Sequence, residues 1–254
     1  MKNKLAAQLY TVRDEAKADF PGVLREIRAM GYAGVQISGL HGYEPERIAE
    51  VLRETGLQAA GMHVSYAELD QELDEVLRQA RLFGTVDLVC PFLTDDMRNE
   101  AGYRDVRRFL NEVARKVESG GFRVSYHNHA FEFETEVDGR NALDYLLEPV
   151  PDNKLLAEID VYWVKKAGRD PLSYLEPYRG RMPILHLKDM SRDEKQSYAE
   201  VGTGVIDFVP ILKWGEAYGV DWYAVEQDVC PGNPLDSLRT SLGNLHRMIE
   251  QMEA

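Results

Sequence analysis

The sequence predicts a single (β/α)₈ barrel spanning residues 1–254, and three observations predict it. A phrase made of an amphipathic helix, a glycine and a short apolar run recurs along the chain. Eight such apolar runs can be placed, each followed by a helical pattern or by room for one. No Pro/Ser/Gly-rich linker or shift in composition divides the chain. Eight strand-then-helix units in about 250 residues is the arithmetic of this barrel.

The recurring phrase reads REIRAMGYAGVQIS, AEVLRETGLQAAGMH, LRQARLFGTVDLVC, ARKVESGGFRVSYH and LKWGEAYGVDWYAVE. Gly31, Gly56, Gly84, Gly120 and Gly219 stand where each helix would end in a left-handed cap. Leu69, Leu73, Val76, Leu77 and Ala80 share the spacing of one helix face. The runs after the glycines are apolar at consecutive positions, as strands covered on both sides should be. LAAQLY, LLAEID and MPILHL complete the set, so strands begin near Leu5, Ala33, Gln58, Val86, Arg123, Leu155, Ile184 and Trp222. An open doubly wound sheet would carry a Gly-rich phosphate loop, and neither GxGxxG nor GxxxxGK[ST] occurs.

Composition narrows the function. With 44% hydrophobic residues the chain can bury a sizeable core. The 30 Lys+Arg against 43 Asp+Glu leave a formal charge of −13, which repels nucleic acid and anionic membrane surfaces. Cys90 and Cys230 cannot form a disulfide framework, and both read as reduced thiols. No run of about 18 apolar residues and no signal peptide is visible, so a cytoplasmic protein is expected. A homo-oligomer is compatible with this composition.

Chemistry in such a barrel sits at the carboxyl ends of the strands. His41, His63, His127, His129 and His186 all fall at or just after a strand end, and only His246 falls on a helix. AEID ends the sixth strand with Glu158 and Asp160, and YAVEQD ends the eighth with Glu226 and Asp228. Strand alternation puts Glu158 with Asp160, His186 with Lys188, and His127 with His129 on shared faces. Charges in an apolar strand cost several kcal/mol unless paired or bound to a cation. A divalent metal held by imidazole and carboxylate would satisfy them together. The alternative is a set of salt bridges capping the barrel, Lys188 to Glu158 or Glu226.

The phrases AAQLYTVRD, VSYHNHAFEFE, EIDVYWV, ILHLKD, EVGTGVIDF and YAVEQD resemble, in order and over nearly the whole chain, the sugar phosphate isomerase/epimerase family of xylose-isomerase-like TIM barrels, which includes inosose isomerases and dehydratases. The resemblance implies one divalent ion, Mn²⁺ first and Mg²⁺, Co²⁺ or Zn²⁺ as alternatives, held by Glu, Asp, His and Glu from strands five to eight. Asp160, His186 and Glu226 match three of these ligands. At the fourth, His127 stands where many members carry Glu, with His129 and Glu132 as neighbouring substitutes.

The implied activity is isomerisation or epimerisation of a sugar or keto-sugar through α-proton abstraction and an enediolate, and a lyase sharing the first half-reaction is the rival. His127, His129, Glu158, Lys188 and Glu226 are the catalytic candidates, and Gln8, Tyr10, His63 and Lys188 the substrate-binding ones. Two further rivals are a phosphodiesterase of the endonuclease IV type, disfavoured by the negative charge, and a sugar-binding barrel that has lost its metal. Trp163 and Trp222 are expected in the core, Arg13 in a structural role, Asp207 as a helix cap, and Cys90 without nucleophilic function.

Overall fold

The computed structural model describes residues 1–253. Eight parallel strands close into a barrel: β1 (Leu5–Gln8), β2 (Gly34–Ser38), β3 (Gln58–His63), β4 (Asp87–Cys90), β5 (Arg123–His127), β6 (Leu156–Asp160), β7 (Ile184–Leu187) and β8 (Trp222–Val225). Neighbours in sequence are neighbours in space, and β8 pairs with β1 to close the ring. Every predicted strand starts within a residue or so of its observed start. None of the described helices is long and apolar enough to cross a membrane.

Local sequence explains the helices between the strands. α1 (Arg13–Met30) is two segments joined at Asp19, whose carboxylate accepts Gly22 N and caps the second segment. α2 (Pro45–Thr55) opens on proline and ends at Gly56 in the left-handed region. The Leu69–Ala80 stripe is divided: α3 (Tyr66–Gln71), opened by a Ser65/Glu68 capping box, stops at Glu72, and α4 (Leu73–Phe83) continues the buried face. Gly31, Gly56, Gly84 and Gly219 have the expected positive φ. Gly120 does not; after α5 (Glu100–Glu118) the left-handed residue is Gly121, one place later, because Ser119 and Gly120 prolong the last turn.

The second half is more broken. α6 (Ala142–Leu146), α7 (Val161–Lys166) and α8 (Pro171–Leu175) are short, whereas α9 (Phe208–Tyr218) and α10 (Pro234–Glu253) are full helices. As expected, Asp207 caps α9, its side chain accepting Val209 N.

Inside the barrel, Val89, Ile184 and Ala224 form an apolar plug with Trp222 packed against it. Above the plug, toward the carboxyl ends of the strands, the inward positions are polar. The pairing of β2 with β3 shifts register between Val35 and Gln36, so Gln36 lies beside Gly61 and Ser38 beside His63. At Gly61 a Cβ would meet the Ile184 side chain, so glycine there makes room for the plug.

Candidate active site

Glu158 is the centre of the polar layer. It is fully buried, and its Oε1 lies 2.8 Å from His63 Nε2, 3.1 Å from His127 Nδ1 and 2.9 Å from His186 Nε2. Its Oε2 accepts Gln36 Nε2 at 2.5 Å, and Gln36 Oε1 accepts Gln8 Nε2 at 2.6 Å. Gln8 is itself buried, with Nε2 3.3 Å from either ring nitrogen of His63. It steadies His63 and Gln36 from beneath.

A second group stands nearer the mouth. Asp160 caps α7 with one oxygen, which accepts Tyr162 N, and its backbone N–H is fixed by Asn128 Oδ1. Its other oxygen, Oδ2, is buried without a well-directed hydrogen bond. Lys188 Nζ sits 3.0 Å from that oxygen, 2.8 Å from Glu226 Oε2 and 2.6 Å from Asp228 Oδ2. The salt-bridge alternative is therefore realised in part: Lys188 pairs with Glu226 as expected, but with Asp160 and Asp228 rather than Glu158.

Electrostatics follow from this crowding. Burial lowers His127 to about 3, helped by His186 and only partly opposed by Glu158. Burial, His127 and Lys188 likewise hold His129 well below the usual imidazole range. Burial works against the charge on His186 too, but Glu158 and Glu226 outweigh it and raise its pKa to about 10. Burial lifts Asp160 to about 6 against the pull of Lys188. Glu226 stays well below its ordinary value because Lys188 and His186 outweigh its burial. Formally, the carboxylates of Glu158, Asp160, Glu226 and Asp228 outnumber the cations Lys188 and His186 by two charges.

One donor atom from each of His127, Asp160, His186 and Glu226 lies within 4.8 Å of the others, all four buried. Asp160 Oδ2, met by Lys188 as an ion pair but by no well-directed hydrogen bond, and the mixed imidazole–carboxylate set suit a divalent cation. A second such group, His63, His127, Glu158 and His186, overlaps the first. Glu132 joins neither, because its two oxygens accept Tyr126 O–H and His129 N–H.

Above these groups opens a cavity of about 420 Å³, whose walls include Tyr10, His63, Phe92, His127, His129, Glu226 and Asp228. His129 is packed among Phe92, Phe131 and Trp163, with ring centroids 5.3–5.5 Å away. Tyr10 is 41% exposed at the mouth, where Arg13 stacks on it and donates to Asp228 O. Trp163 packs against the core as expected and also lines a neighbouring cavity with Tyr198 and Lys166, while Trp222 packs the barrel floor. Burial raises the Cys90 thiol to about 12, so it is no nucleophile at neutral pH.

His41 is not brought to the site. It sits in the turn after β2 with positive φ, packed on Phe20. Gln36 and Phe92 belong to the site and were not anticipated. Gln36, a polar residue flanked by Val35 and Ile37, carried the same signal that marked Glu158; exposed Phe92 carried none.

Comparison with known proteins agrees with this architecture. The model of the xylose isomerase-like TIM barrel family matches residues 24–247. An inosose dehydratase of Geobacillus kaustophilus is 23% identical, the match covering 91% of this chain and 88% of the relative. A crystal structure of a sugar phosphate isomerase/epimerase from Parabacteroides distasonis superposes with a TM-score of 0.80 at 20% identity, covering 96% of this chain and 97% of that one. The IOLI protein, solved with a bound zinc atom, superposes with a TM-score of 0.74 at 14% identity, covering 98% of each chain.

Proposed function

Because this chain belongs to the xylose isomerase-like TIM barrel family, we propose that it is a metal-dependent lyase of a keto-sugar, removing the proton beside the carbonyl and expelling a β-hydroxyl as water. The observation that carries the reading is His127. An imidazole, not a carboxylate, completes the donor set on β5, so a proton exchange that uses one glutamate on β5 and another on β8 cannot operate unchanged. The full-length likeness to an inosose dehydratase supports the same choice.

Asp160, His186, Glu226 and His127 are the residues to hold the cation, which when bound polarises the substrate carbonyl. The chain's own groups do the rest. His129, kept neutral by burial and faced into the cavity, has a free lone pair for the α-proton. The C–H electron pair passes into the enolate. As the enolate collapses, the new C=C forms, the β C–O bond breaks, and the hydroxide leaves with a proton as water. His63 faces the cavity, is aligned by Glu158 and Gln8, and is placed to supply that proton. Lys188 is fully buried beneath and holds Asp160, Glu226 and Asp228 in place. Tyr10 offers an aromatic face to the sugar at the rim.

A second reading, isomerase or epimerase, is favoured by the name of the Parabacteroides distasonis structure and shares the first proton transfer. One experiment separates the two. The protein is incubated in D₂O with Mn²⁺ or Zn²⁺ and an inosose, and the products are read by mass spectrometry and NMR. The expected result is a product lighter by one water, with deuterium at the α-carbon of recovered substrate. A labelled isomer of unchanged formula would replace the lyase by the isomerase. Turnover of a keto-sugar with no label in either direction would overturn α-proton abstraction for both.

A further inference from the structure

We infer that the barrel carries a second divalent-cation site, deeper than the one above, in which His63, His127 and His186 supply three nitrogens and Glu158 one oxygen, and that this inner site selects Zn²⁺ or Co²⁺. One donor atom from each of these residues lies within 4.8 Å of the others. Three imidazole nitrogens converge on the single oxygen Glu158 Oε1 at 2.8, 2.9 and 3.1 Å. Hydrogen bonds account for part of this grouping, since His63 and His127 bond to Oε1 while His186 Nε2 also lies 2.6 Å from Gln36 Oε1. Nitrogens and one oxygen grouped in this way suit a four-coordinate borderline ion, whereas the carboxylate-rich outer group better suits a harder one.

The surroundings complete a metal site. An imidazole that binds an ion through one nitrogen normally turns the other toward a carboxylate or carbonyl. Here His186 offers Nε2 to Glu158 and directs Nδ1 to Glu226 Oε2, 3.2 Å away. His127 offers Nδ1 to Glu158 and directs Nε2 toward Asp160 Oδ2 at 4.0 Å. Glu158 is braced through its second oxygen by Gln36. With an ion at the inner site, Glu226 becomes the outer support of His186, while Asp160, 4.0 Å from His127 Nε2, makes no hydrogen bond to its histidines. Lys188, 3.0 and 2.8 Å from those two carboxylates, supplies the cation they then lack.

Both sites use His127 and His186, through opposite ring nitrogens. A neutral imidazole has one lone pair, so it serves one site at a time. Occupancy is therefore mutually exclusive, at one ion per chain.

His63 belongs only to the inner site and Asp160 only to the outer one, so their variants separate the two without measuring turnover. Metal-stripped protein is titrated with Co²⁺, following its visible d–d absorption, and with Mn²⁺, following its electron paramagnetic resonance. Stoichiometry is read by elemental analysis. The expected result is one ion per chain, with an intense four-coordinate Co²⁺ band. His63→Ala and Glu158→Gln should weaken Co²⁺ at least about tenfold and reduce that band, while Asp160→Asn keeps its position and intensity. Mn²⁺ should show the reverse, weakened by Asp160→Asn and unchanged in His63→Ala. Thermal unfolding of each metal-free variant verifies folding, and His63→Gln replaces any alanine variant that fails. An unchanged Co²⁺ band and affinity in the His63 variant would overturn the inner site. Two Co²⁺ ions bound together would overturn exclusive occupancy. Neither result touches the lyase proposal, which is tested by product and label.

Discussion

Lys188 is the residue on which the electrostatics of the site turn. A lysine is almost never fully buried unless it is paired, and this one faces Asp160, Glu226 and Asp228 at 2.6–3.0 Å. Desolvation opposes its charge, but these carboxylates outweigh it and hold its pKa well above the ordinary value. Replacing Lys188 by Met should therefore leave buried carboxylates without a counter-charge. A loss of about 3–5 kcal/mol in urea-denaturation stability is expected for the metal-free protein. Mn²⁺ should restore part of the loss, because the ion then neutralises Asp160 and Glu226. A metal-free Lys188→Met protein as stable as its parent would show that the lysine is not the carboxylates' main counter-charge.

At the scale of elements, the turn after β7 is held by one side chain. Asp189 accepts four backbone N–H groups, from Met190 at 2.7 Å, Gly202 at 3.0 Å, Gly204 at 2.8 Å and Ile206 at 3.1 Å. This clamp draws residues 202–206 against the end of β7, directly after Lys188. A Cβ at Gly204 would overlap Met190 O and the Asp189 carboxylate, so only glycine lets the chain approach so closely. Gly204→Ala should cost about 1–3 kcal/mol, as overpacking does. Gly232→Ala meets open space and should stay within about 0.5 kcal/mol. Chemical denaturation of the two variants checks this, and equal stabilities would rule the clamp out as a stabilising feature.

For the whole molecule, the dependence of stability on pH has an identifiable contributor. Glu132 is fully buried, and burial raises its carboxyl to about 7 against the hydrogen bonds from Tyr126 and His129 N–H. Its folded pKa lies above its ordinary value of 4.5, so the folded state binds the extra proton between those values. The contribution to stability is complete below pH 4.5 and is lost as pH rises through about 7. The loss amounts to about 3 kcal/mol. Glu132→Gln cannot titrate, so its stability relative to the parent should improve by that amount between pH 4.5 and pH 8. A constant difference between the two proteins across this range would show that Glu132 does not titrate there.

The barrel was legible because its signals are local. Helix periodicity, a capping glycine and a doubly covered apolar strand each occupy about ten residues, and their order alone leads to the closed ring. Strand alternation also told which of Glu158, Asp160, His127, His129, His186 and Lys188 share faces, because the period of two is a property of the strand itself. What only the tertiary structure decided is which partner each group meets across the barrel. Lys188 turns to Asp160, Glu226 and Asp228 rather than Glu158, and three histidines from β3, β5 and β7 converge on one oxygen. Those meetings depend on the register between strands, including the shift at Gln36 that no residue pattern announces. His41 left the group for the same kind of reason, since the glycine-bounded turn after β2 carries it against Phe20. Sequence determines conformation over a few residues, whereas the site is an arrangement of side chains 30 to 150 positions apart, brought within hydrogen-bonding distance only when the ring closes.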